Sequence, residues 1–168
     1  KRAQKSFADV VCKELDREDQ PLYYFYRGYV YIQQGDLKSA TSLFRALKDS
    51  QNPYTLQGKY YYAYCLYRQG EYSKALPSFL EIENTAQYHQ IVPYYIIQIY
   101  YAQQNYDEVF ARAEDLLRRN PKNENNAEVQ RILGELYYVK GNYAKAEQNL
   151  HSYDSAYTAR KLEVLRTD

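Results

Sequence analysis

Tryptophan and methionine are absent from this chain, and cysteine, glycine and proline are scarce: two, six and five among 168 residues. So little glycine and proline argues against an all-β fold, which needs frequent turns. Cys12 and Cys65 match no metal-ligand spacing. Each falls in an apolar helical pattern, where cysteine packs as a small hydrophobe, so both are expected to be free thiols. Neither sign of charge dominates, with 22 Lys and Arg against 21 Asp and Glu. The chain therefore has no field to steer a polyanion and no basic stripe, and no nucleic-acid partner is expected. No run approaches the roughly 18 apolar residues of a membrane-spanning helix, so no membrane insertion is expected. A glycine-rich phosphate loop is missing, and His89 and His151 stand in a link and near a helix end with no nucleophile motif beside them. Accordingly no catalytic residue, metal or cofactor is expected, and the protein reads as a non-enzyme.

What the chain has in abundance is tyrosine, 23 residues, within a hydrophobic content of 45% that suffices for a packed core. It also repeats. Gly35-Asp36-Leu37-Lys38-Ser39-Ala40, Gly70-Glu71-Tyr72-Ser73-Lys74-Ala75, Gln104-Asn105-Tyr106-Asp107-Glu108-Val109 and Gly141-Asn142-Tyr143-Ala144-Lys145-Ala146 align at spacings of 35, 34 and 37 residues. Each segment lies between two amphipathic helical stretches. The glycines suit a left-handed helix end, and the Asp, Glu or Asn that follows suits the start of the next helix. Every unit thus reads as helix A, tight turn, helix B. The A helices are expected near 21–34, 56–69, 91–103 and 127–140, and the B helices near 37–49, 72–84, 106–119 and 143–153.

The pattern resembles the tetratricopeptide repeat family over residues 21–153. Repeat one carries Tyr24, Arg27-Gly28, Tyr31, Ala40 and Phe44; repeat two Lys59, Tyr62-Ala63, Leu66, Ala75 and Phe79. Repeat three carries Pro93, Ile96-Ile97, Tyr100, Val109, Ala113 and Pro121; repeat four Gln130, Leu133-Gly134, Tyr137, Ala146 and Leu150. The resemblance implies an all-α fold, an α-α superhelix (a solenoid) of about four helix-turn-helix repeats plus flanking helices. A single domain over 1–168 then divides into an N-terminal flanking helix at 5–19 (Phe7, Val10, Val11, Leu15), repeats at 21–55, 56–89, 90–126 and 127–154, and a C-terminal capping helix at 155–168. Small residues in helix A (Gly28, Ala63, Gly134) are expected to face small residues in helix B (Ala40, Ala75, Ala146) and allow close crossings. Repeat three has Ile97 and Val109 at those positions, where a wider crossing is expected. Pro77 is expected to kink its helix.

In this family the inner face is built from set positions of helix A. Carried onto this chain, they assign a partner-binding groove to Phe25, Tyr26 and Tyr29 in repeat one, and to Tyr60, Tyr61, Tyr64, Tyr67 and Arg68 in repeat two. Tyr94, Gln98 and Tyr101 follow in repeat three, and Arg131, Glu135 and Tyr138 in repeat four. Two ladders are expected, Phe25–Tyr60–Tyr94 and Tyr29–Tyr64, with Arg68, Gln98, Arg131 and Glu135 setting the register of a bound segment. Tyrosine offers wide contact area and a polar tip at low entropic cost, which suits a binding face. The carboxylate clamp of chaperone-tail receptors is ruled out, because its sites hold Phe25, Tyr29, Tyr61, Ile91 and Tyr95.

The implied function is a non-enzymatic scaffold or adaptor that binds a peptide or partner protein. Two alternatives stay open: an accessory module of the bacterial cell envelope, and single-stranded RNA binding by stacking on tyrosine. The first rests on a likeness to outer-membrane assembly lipoproteins in Gln104-Asn105-Tyr106-Asp107-Glu108 and Arg118-Arg119-Asn120-Pro121; it leans the location towards the periplasm, with the cytoplasm still possible. The chain begins at Lys1 with no Met and no signal-peptide pattern. It therefore reads as part of something longer, or as a chain that associates weakly through an end.

Overall fold

The computed structural model describes residues 17–167, with side chains as far as residue 158. The expected flanking helix at 5–19, with Cys12, lies outside these residues except for its last three, which form a turn. Eight α-helices and no strand make up the described residues: α1 Gln20–Gln34, α2 Leu37–Lys48, α3 Thr55–Arg68, α4 Tyr72–Ile82, α5 Val92–Ala102, α6 Tyr106–Arg119, α7 Asn126–Val139 and α8 Tyr143–Thr167. The fold is all-α and built of helix pairs.

The turns within the four pairs are copies of one another. Gly35 N–H donates to Ile32 O at 3.0 Å and Asp36 N–H to Tyr31 O at 2.9 Å. The same two bonds recur at Gly70 and Glu71, at Gln104 and Asn105, and at Gly141 and Asn142. This pattern satisfies the last carbonyls of a helix and needs one residue in the left-handed region. Gly35, Gly70 and Gly141 take it at φ 79°, 76° and 75°, and in repeat three Gln104 takes it at 59°. Asp36 then caps α2, its side chain accepting from Ser39 N–H at 3.1 Å. Tyrosine pairs brace the last three turns: Tyr67–Tyr72, Tyr101–Tyr106 and Tyr138–Tyr143, with ring centroids 5.7, 6.1 and 5.5 Å apart.

The chain forms two compact units, one ending at Asn84 and the other beginning at Thr85. In the first, α2 packs on α1 and α3, and α4 on α3. Its core holds Ala40, Phe44, Leu47, Ala63, Leu66, Ala75, Phe79 and Ile82, with Cys65 as a free buried thiol. In the second, α6 packs on α5 and α7, and α8 on α7. Its core gathers Tyr94, Ile97, Val109, Ala113, Leu116, Val129, Ile132, Leu133 and Ala146.

The packing within the pairs differs from the sequence expectation in an informative way. A Cβ on Gly28 would stand 2.7 Å from Phe44 Cζ, and one on Gly134 would stand 2.6 Å from Leu150 Cγ. The glycines therefore make room for the large residue sixteen positions on in helix B. The register explains repeat three. There the helix A residue is the large one, Ile97, and the residue sixteen positions later is Ala113; both are fully buried in one core. Bulk has moved from one side of the contact to the other, and the volume is kept. The two helices of repeat three nonetheless approach one another at fewer backbone positions than those of the other three pairs, in keeping with the wider crossing expected there.

A second close approach escaped the sequence reading. A Cβ on Gly58 would meet Leu47 Cβ at 2.7 Å and Lys48 N at 2.9 Å, so the start of α3 lies directly on the end of α2. Asn52 holds the link between them, donating to Leu47 O at 2.9 Å and accepting from Tyr54 N–H at 2.8 Å. Pro77 lies inside α4, and the helix continues past it to Ile82. The expected break near residue 154 is absent: α8 runs unbroken through the position assigned to a separate capping helix. Neither Gly nor Pro occurs after Gly141, so nothing local ends the helix there.

Candidate functional site

The A helices of the first unit, α1 and α3, carry between them ten tyrosines and one phenylalanine in 29 residues. One helix cannot bury so many rings against helix B alone, so rings from α1 and α3 meet one another. Tyr61 is the hub. It stacks on buried Phe44 at 5.0 Å and 23°, and meets Phe25 at 5.9 Å, Tyr29 at 6.1 Å and Tyr60 at 5.0 Å edge-to-face. Phe25 stacks in turn on Tyr54 at 5.1 Å and touches Tyr26 at 5.5 Å. Offset and edge-to-face pairs of this kind contribute about 0.5–1.5 kcal/mol each beyond area burial.

The expected rungs are thus displaced, by one residue for Phe25 and by three for Tyr29, because both reach Tyr61. Side chains lean towards the N-terminus of their own helix, so the contact runs to a diagonal neighbour. Tyr60 instead stacks on Tyr64 at 6.2 Å and meets Phe79 of α4 at 6.4 Å. Arg68 closes the row: its Nη1 donates to Tyr64 Oη at 2.8 Å, and its guanidinium lies 5.7 Å from that ring's centroid. Tyr67 is half-buried and leans on Tyr72.

The outer layer of this cluster faces solvent. Tyr26 keeps 48% of its surface exposed and Tyr29 43%, above half-buried Phe25 and Tyr61. Burial pushes the Tyr61 phenol up, and its neighbours Tyr29 and Tyr64 add to the effect. It is a neutral hydroxyl at physiological pH. Neither α1 nor α3 contains Asp or Glu.

The second unit treats its sequence-selected residues differently. Tyr94 is not a surface residue: it is 2% exposed, and its hydroxyl donates to Oδ1 of buried Asn126 at 2.7 Å. Asn126 Nδ2 donates onward to Asn120 O at 2.7 Å, so this network ties α5 to the start of α7. Burial pushes the Tyr94 phenol up to about 12. Tyr94 is therefore a scaffold residue, and its place in the first ladder is corrected; a buried phenol needs a hydrogen-bond partner, and Asn126 supplies it.

Arg131 and Glu135 bond to each other, Arg131 also pairs with Glu128 at 2.6 Å, and Tyr101 Oη donates to Glu135 at 2.6 Å. Burial works against ionised Glu135, but the bonds from Tyr101 and Arg131 outweigh it and hold the carboxyl below its ordinary range. The polar atoms expected to set a partner's register are thus engaged within the unit. Gln98 is half-buried on α5, and Tyr138 is 63% exposed beside Tyr143. A further phenol–carboxylate–ammonium group lies between helices: Tyr137 donates to Glu114, and Lys145 Nζ donates to Glu114 at 2.8 Å and to Tyr137 Oη at 3.1 Å.

A cleft of about 650 Å³ opens between the α6–α7 link and α8, lined by Pro121, Lys122, Asn123, Tyr153, Ala156 and Tyr157 among others. None of the residues assigned to the partner-binding groove lines it. Among the described residues, no group of three or more His, Cys, Asp or Glu is placed to hold a metal ion. No described helix is long and apolar enough to cross a membrane.

Residues 94–158 match the profile of the tetratricopeptide repeat family. No curated protein matches the chain.

Proposed function

We propose, from the match of residues 94–158 to the tetratricopeptide repeat family and the helix pairs that precede them, that the protein is a non-enzymatic scaffold whose first unit binds a segment of a partner protein on the aromatic face of α1 and α3. The observation that carries this reading is the layering of that face. Exposed Tyr26 and Tyr29 rest on a floor of Phe25, Tyr61 and Phe44 whose rings are already packed. Rings held by their neighbours lose little freedom when a partner arrives, which favours aromatic hot spots. A face lacking Asp and Glu also avoids the desolvation of carboxylates on docking.

The test is the double variant Tyr26→Ala with Tyr29→Ala in the full chain. Binding to a partner captured by the wild-type chain should weaken by roughly 100-fold or more, as hot-spot truncations do. The variant should stay folded and lose about 1–3 kcal/mol, because it removes one edge-to-face contact at each position, Tyr26 with Phe25 and Tyr29 with Tyr61. Unchanged binding by a folded double variant refutes the assignment of this face.

A further inference from the structure

We draw no further inference here: the strongest candidate, the cleft between the α6–α7 link and α8 with Pro121, Tyr153, Ala156 and Tyr157 on its walls, is an unpartnered face, and nothing in the structure shows what covers it.

Discussion

The sharpest test of the packing is a sign reversal at Gly28. Its absent Cβ would overlap the Phe44 ring, with Cζ at 2.7 Å and Cε2 at 2.9 Å. Phe44 is fully buried and stacked on Tyr61. Gly28→Ile in the wild-type background therefore overpacks the α1–α2 contact. Overpacking costs about 1–3 kcal/mol, and the better helix propensity of isoleucine returns roughly 0.5 of that. Phe44→Ala alone should cost about 3–5 kcal/mol, as removal of a buried ring does. The two changes together copy repeat three, where Ile97 and Ala113 hold the equivalent positions in one buried core. The four added side-chain carbons then fill the space the ring has left, at about 0.8 kcal/mol each when buried. Gly28→Ile should thus stabilise the Phe44→Ala protein while destabilising the wild type, with a coupling of about 4–6 kcal/mol, the sum of the two opposite effects. Urea denaturation of all four proteins, followed by circular dichroism, measures the cycle. An excluded osmolyte such as sucrose keeps the weakest member folded at zero urea. The exchange of bulk is refuted if the double variant is no more stable than Phe44→Ala.

Other substitutions read other parts of the fold. Gln104→Gly should raise stability by roughly 0.5–1 kcal/mol in a urea titration, since a side chain at φ 59° is strained and glycine gives back part of the gain as unfolded-state entropy; a loss would mean that the Gln104 side chain holds the turn. Tyr94→Phe leaves buried Asn126 Oδ1 without its donor and should cost about 1–3 kcal/mol in the same assay; a neutral result would show that the network does not join α5 to α7. Lys145, and then Tyr137, hold the Glu114 carboxyl below its ordinary value. The stability this adds is present above the unfolded carboxyl pKa of about 4.3 and is lost as pH falls through the lower folded value. Wild type should therefore lose more stability than Glu114→Gln on acidification through that window, and parallel pH profiles from thermal melts would disprove it.

Much of this architecture was legible because it is local. A glycine before Asp, Glu or Asn, recurring at near-constant spacing between amphipathic stretches, dictates a left-handed helix end and a new helix start wherever it stands. That is why four turns with matching hydrogen bonds followed from the sequence, Gln104 included. The residue types at fixed offsets also carried the family resemblance before any coordinates. The candidate site was legible in the same limited sense. The family resemblance, carried onto helix A positions, assigned Phe25, Tyr26, Tyr29, Tyr61 and Tyr64 to one side of their helices before any tertiary information.

The partners of those side chains were a tertiary matter. Tyr29 and Tyr94 are both tyrosines on A helices, yet one is 43% exposed and the other is buried on Asn126, which lies 32 residues further along the chain. Periodicity assigns a residue to a helix face, but how deep that face lies depends on what crosses it. Gly28 and Gly58 are equally mute in sequence; which residue stands over each depends on crossing angle and register between helices. The exchange of bulk between Ile97 and Ala113 is invisible until Gly28 is seen under Phe44. Local signals act through backbone dihedrals and hydrogen bonds a few residues apart, so the sequence alone determined the helices and their turns. Ring contacts, burial and the filling of space depend on atoms from distant helices, and only the packed structure decided them.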